Sequence, residues 1–156
     1  MKKICCLLLI ITSLASCNND DDSNFEINED NFLIFGHFYG ECVGEDCVET
    51  FKLTSTTLLE DTIDDYSGQN QEFIALENET FEQVKDLVTS FPNRLLNEDK
   101  SVLGCPDCAD GGGLFIQYSD NGDVQSWRID LTKDNIPEYL HDFVDAVNEK
   151  ITLINN

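Results

Sequence analysis

Residues 114–118 and 124–131 are two strand-like runs held apart by Asp120-Asn121-Gly122. An Asn-Gly pair tolerates the positive φ angles of a tight two-residue turn, so the two runs are read as the strands of an antiparallel hairpin. No other local signal in the chain is as restrictive, and it commits the domain to an antiparallel sheet. Trp127 lies on the second strand and is expected to pack into the core.

The rest of the domain follows from periodicity. Residues 32–39 are dense in aromatic and β-branched side chains and read as a strand buried on both faces or nearly so. A turn over residues 40–46 and a returning strand over 48–53 make a second hairpin. Residues 56–59 suggest a third strand, 61–71 a polar loop and 72–76 another short strand. Thr80 and Gln83 fit a capping box, with Thr80 as the N-cap, and Phe81, Val84, Leu87, Val88 and Phe91 then recur at helical spacing. Pro92 ends that helix because its ring blocks continuation, and Leu95 and Leu96 suit a further short turn. Asn135-Ile136-Pro137-Glu138 looks like a helix start, followed by an apolar stripe of Leu140, Phe143, Val144, Val147, Ile151 and Ile154. The expected fold is α+β: a small antiparallel sheet with two hairpins, packed against a C-terminal helix and one shorter helix.

The first residues belong to targeting. Lys2 and Lys3 precede an almost wholly apolar stretch, residues 4–14, that is too short to span a bilayer. It runs into Leu14-Ala15-Ser16-Cys17, which resembles the lipobox of bacterial lipoproteins. That resemblance implies cleavage before Cys17, a diacylglyceryl group on its sulfur, and an acyl chain such as palmitate on the new amino group. The division expected is a signal peptide over residues 1–16, a lipidated cysteine with a flexible acidic tether over 17–31, and one globular domain over 32–156. The tether, with Asp20-Asp21-Asp22 at its start, is similar to the acidic export tags of Bacteroidota surface lipoproteins. The two resemblances together imply an outer-membrane location, lipid-anchored, and periplasmic or surface-exposed. Loss of residues 1–16 would remove Lys2 and Lys3 and no acid, leaving seven of nine basic residues against 31 acidic ones, a net charge of −24. Such a field repels nucleic acid and favours cationic partners without naming one.

Four further cysteines, Cys42, Cys47, Cys105 and Cys108, lie in the exported domain. In an oxidising compartment they suggest two structural disulfides, with all three pairings open. Local pairs would close each loop on itself; cross pairs would tie the first hairpin to the loop before the second. As an alternative, Gly104-Cys105-Pro106-Asp107-Cys108 resembles half of a rubredoxin-type knuckle, which would make the four cysteines metal ligands with His37 as a spare. The second half departs from that pattern, with four residues between Cys42 and Cys47. Cys105-Pro106-Asp107-Cys108 also has thioredoxin-like spacing, but Gly111-Gly112-Gly113 follows where a helix should begin.

No nucleophile elbow, phosphate loop or EF-hand spacing is present. His37, on an apolar strand, is expected as a packed residue, and His141 on a solvated helix face. Asp61-Thr62-Ile63 looks like a short O-glycosylation acceptor pattern of Bacteroidota. Gly36-His37-Phe38-Tyr39-Gly40-Glu41-Cys42, Cys47-Val48, Phe51-Lys52-Leu53, Cys105-Pro106-Asp107-Cys108-Ala109-Asp110 and Tyr139-Leu140-His141 together resemble small uncharacterised lipoproteins of Bacteroidota, a group with no established activity to carry over. The expectation is therefore a non-enzymatic, membrane-anchored binding or assembly module that needs no cofactor and meets a protein partner at the cell surface. A metal or thiol-redox protein and an inhibitor of exported proteases are the alternatives, and the oligomeric state is left open.

Overall fold

A computed structural model describes residues 30–42 and 44–156. The leader, Cys17 and nearly all of the acidic tether lie outside the described residues. The chain forms seven strands, β1 (Phe32–Phe38), β2 (Val48–Leu53), β3 (Leu58–Asp61), β4 (Phe73–Ala75), β5 (Val102–Leu103), β6 (Gly113–Asp120) and β7 (Asp123–Asp130), with helices α1 (Asn78–Val84) and α2 (His141–Ile154). All strands join one sheet in the order β4-β3-β2-β1-β6-β7-β5. The fold is α+β, as the element order predicted.

Both expected hairpins are present and lie side by side, because β1 pairs antiparallel with β2 on one flank and with β6 on the other. The Asn121-Gly122 turn has φ of 51° and 89°, the positive angles the pair was expected to adopt. Asn31 is buried and its side-chain oxygen accepts the Asn121 N–H at 2.8 Å, so the last residue assigned to the tether is pinned to the hairpin.

Three local readings need correction. The third strand starts at Leu58 rather than Thr56, because Thr54 is spent on a turn: its hydroxyl donates to the Thr57 carbonyl and accepts the Thr57 N–H, both at 3.1 Å. Thr80 is not an N-cap. It lies inside α1, whose cap is Glu77, and the Glu77 carbonyl accepts the N–H groups of Thr80 and Phe81. The sheet is not purely antiparallel either: β5, only two residues long, adds to β7 in parallel. The C-terminal helix begins with a single tight turn at Glu138–Leu140 before becoming α-helical at His141, and a separate turn at Lys133–Asn135 precedes it across extended Ile136 and Pro137.

One face of the sheet carries the main core. Leu33 and Phe35 of β1, Phe51 and Leu53 of β2, and Trp127 and Ile129 of β7 alternate inward, as period-two strands must. Against them lie Phe81, Val84 and Leu87 from the first helical segment and Phe143, Val144, Val147 and Ile151 from α2. Phe91 joins the layers, its ring 5.1 Å from Tyr118, 6.5 Å from Trp127 and 5.6 Å from Phe143. The expected single helix is shorter in its α form: it ends at Val84 and continues as a tighter 3-10 segment over Lys85–Ser90, after which Phe91 is extended ahead of Pro92. No helix among the described residues is long and apolar enough to cross a membrane.

Candidate functional site

The register sends three loops out of the same end of the sheet. Phe38 at the close of β1 faces both Val48, which opens β2, and Gly113, which opens β6, while Gly113 faces Asp130 at the close of β7. The loops carrying all four cysteines of the domain therefore emerge together. The structure brings Cys42 to Cys47 and Cys105 to Cys108, each pair at disulfide distance with Cα atoms 5.5 Å apart. Of the three pairings, this is the one in which each loop closes on itself. Among the described residues no group of three His, Cys, Asp or Glu side chains converges as metal ligands would.

The loop from Gly104 to Gly112 is tightly wound, with positive φ at Gly104, Asp107, Ala109, Asp110 and Gly112. Non-glycine residues visit this region at a cost, so so many in one loop means that surrounding contacts over-determine it. Asp107 supplies most of those contacts. Its N–H donates to the Gly112 carbonyl at 2.6 Å, and its carboxylate accepts the Gly112 N–H at 3.2 Å and the Tyr66 hydroxyl at 2.8 Å. The Gly40 N–H donates to the same carboxylate. A Cβ on Gly40 would lie 2.2 Å from Asp107 Oδ2, so only glycine lets the first loop approach the second this closely. The Gly40 and Tyr66 hydrogen bonds, in that order, hold the Asp107 carboxyl below the usual range. It is an ionised, multiply bonded carboxylate, which organises a loop well but has little basicity to offer as a general base.

Tyr66 and Arg128 complete the cluster on the sheet face away from the helices. The Arg128 guanidinium lies 3.7 Å from the Phe38 ring centroid and 4.6 Å from that of Tyr66, and donates to the Tyr66 carbonyl at 2.9 Å. Tyr66 meets Phe38 edge-on at 5.4 Å. Burial and the bond to Asp107 push the Tyr66 hydroxyl up, against an opposing pull from Arg128, so it stays a neutral donor. Beneath the second loop, Asp130 is 5% exposed and accepts the Cys105 N–H at 2.9 Å, the Thr132 N–H at 2.8 Å and the Asn135 amide at 2.7 Å.

The two histidines have structural partners. His37 is half-buried with Nε2 3.3 Å from Glu49 and 3.1 Å from the Asp46 carbonyl, which ties β1 to the first cysteine loop. His141 is not on a solvated face: its Nε2 reaches the Lys133 carbonyl at 3.0 Å and stabilises the turn before α2. Thr62, in the glycosylation-like tripeptide, is exposed and donates to the Glu72 carbonyl at 3.1 Å. Sequence reasoning missed Tyr66, Arg128 and Asp130. Arg128 alternates with the inward Trp127 and Ile129 and could have been placed on the opposite face; nothing local marks Tyr66, which acts through a contact 41 residues away.

The chain matches no protein-family model, and no curated protein is significantly similar to it.

Proposed function

We propose that the chain is a non-catalytic binding or assembly module, held at the outer membrane by lipid on Cys17 and cross-linked by two local disulfides. The observation that carries this reading is the gathering of both cysteine pairs at one end of the sheet around Asp107, Tyr66 and Arg128. There the polar groups are engaged with one another and both histidines serve local structure. This is the pattern of a rigid presented surface, which binds without a large ordering cost. The exposed residues Glu41, Ala109 and Asp110 form its outer rim. Acidic charge across the chain selects for a cationic or neutral partner.

A photo-reactive residue placed at Asp110 of the full chain, in living cells, tests this reading. A discrete adduct formed from Asp110, not from the exposed Asn148 on α2, and lost with Cys17→Ala, is the expected result. No adduct, or the same ladder from both positions, would count against it. A specific turnover abolished by His37→Gln or His141→Gln would replace it with an enzyme.

A further inference from the structure

Strand β7 is eight residues long, yet its outer neighbour β5 covers only Arg128 and Ile129. The two-residue turn makes Asp120 and Asp123 the closing hydrogen-bonded pair of the hairpin. Alternation then turns the N–H and C=O of Gln125, Trp127 and Ile129 toward β6, and those of Val124, Ser126 and Arg128 outward. The Arg128 N–H shows this directly by donating to the Ser101 carbonyl at 2.8 Å, on the β5 side. Among the described residues, no hydrogen bond reaches the outward groups of Val124 or Ser126. Val124 is 53% exposed and Ser126 is exposed, and no proline or bulge blunts this edge. A cleft of about 250 Å³ runs between residues 98–101 and the edge residues Gln125, Ser126 and Trp127.

We infer that the open half of β7 is a strand-docking edge, and that its partner is an extended segment of cationic peptide. An unpaired edge of this kind templates a further strand through backbone hydrogen bonds. The surroundings choose the charge: Glu98 and Asp99 line the cleft and Asp120 and Asp123 flank the turn, against Lys100 and an Arg128 whose guanidinium is engaged with Phe38 and Tyr66. Val124 offers an apolar contact to the side chain that lies opposite it on the same face of the incoming strand. At about 3.3 Å per residue, Val124 lies about 20 Å from Asp130 and the cysteine loops, so this surface is separate from the proposed rim and does not depend on it.

The test uses the full chain in detergent and an alternating Lys-Val heptapeptide. On adding peptide, amide exchange at Val124 and Ser126 slows at least about tenfold, while Gln125 and Trp127, already bonded to β6, do not change. Raising salt from about 50 to 300 mM weakens binding several-fold. Methylating alternate peptide nitrogens, which leaves the protein intact, abolishes binding. Ser126→Pro, which removes an N–H that the β6 pairing does not use, weakens it by about tenfold. Equal binding of the methylated peptide or of a Glu-Val analogue would overturn the proposal, as would protection spread evenly along β7.

Discussion

Replacing Asp130 gives a sharp test of how the second cysteine loop is held. This buried carboxylate ties Cys105, Thr132 and the Asn135 side chain together at 2.7 to 2.9 Å, and so joins the loop to the turns that start α2. Hydrogen bonds to a charged group contribute about 1.5–3 kcal/mol each, and an orphaned buried donor costs about 1–3 kcal/mol. Three donors, part of whose loss water can make good, put Asp130→Ala at about 3 kcal/mol and Asp130→Asn at roughly half that. With a urea m-value of about 1.5 kcal/mol/M, the alanine variant should unfold about 2 M earlier at pH 7. The charge dependence has a definite sign. Burial pushes the Asp130 carboxyl up, but the bonds from Thr132, Asn135 and Cys105 outweigh it and bring it below its ordinary 3.8. A group depressed on folding contributes stability that is complete above its unfolded pKa and is lost as the pH falls through the folded one. The gap between wild type and Asp130→Asn should therefore be full at pH 7 and shrink as the pH falls below the ordinary 3.8 of the carboxyl. An alanine variant within about 0.5 kcal/mol of wild type, or a gap unchanged at low pH, would mean that the Asp130 carboxylate does not hold this loop.

Other outcomes follow from the same contacts. Cys105→Ala with Cys108→Ala should cost about 2 kcal/mol on chain-entropy grounds, since the bridge closes a short loop, where cross pairs closing some sixty residues would cost over about 4 kcal/mol; paired urea melts separate the two. Phe143→Ala should lose about 3–5 kcal/mol, read as a large drop in the thermal midpoint, because the ring is 1% exposed and meets Phe91 edge-on. Arg128→Ala should leave the sheet intact and speed amide exchange across residues 65–70, because the guanidinium anchors Tyr66 by stacking and by its bond to the carbonyl. Gly40→Ala should displace the Asp107 carboxylate and perturb the Tyr66 hydroxyl, seen as a shift in its titration, with unchanged titration counting against the contact.

Legibility in the sequence tracked how local each cause is. The Asn121-Gly122 turn, the Phe81-to-Phe91 stripe, the Pro92 stop and the inward Trp127 depend on neighbours a few residues away, and all were readable. Thr80 misled because a Thr-x-x-Gln pattern is only a cap if the chain before it is non-helical, and here Asn78 and Glu79 already are helical. Strand β5 escaped because two residues have no period; its pairing with β7 comes from the sheet, not from its own composition. At the cysteine end, the residue types were visible but the pairing was not, since four cysteines constrain one another only once the register has brought two loops to one end. The Asp107–Tyr66–Arg128 cluster joins residues from three separate parts of the chain, and no local pattern connects them.

Lipid anchoring and the two local disulfides are read together from the intact mass of the protein recovered from membranes, alkylated without reduction and measured beside elemental analysis. The expected protein begins at Cys17 and carries lipid, with Cys42, Cys47, Cys105 and Cys108 all refractory to alkylation, no bound metal, and release from the membrane fraction on Cys17→Ala. A chain retaining Met1, an unlipidated Cys17, or four alkylated thiols accompanied by one zinc or iron would contradict this reading.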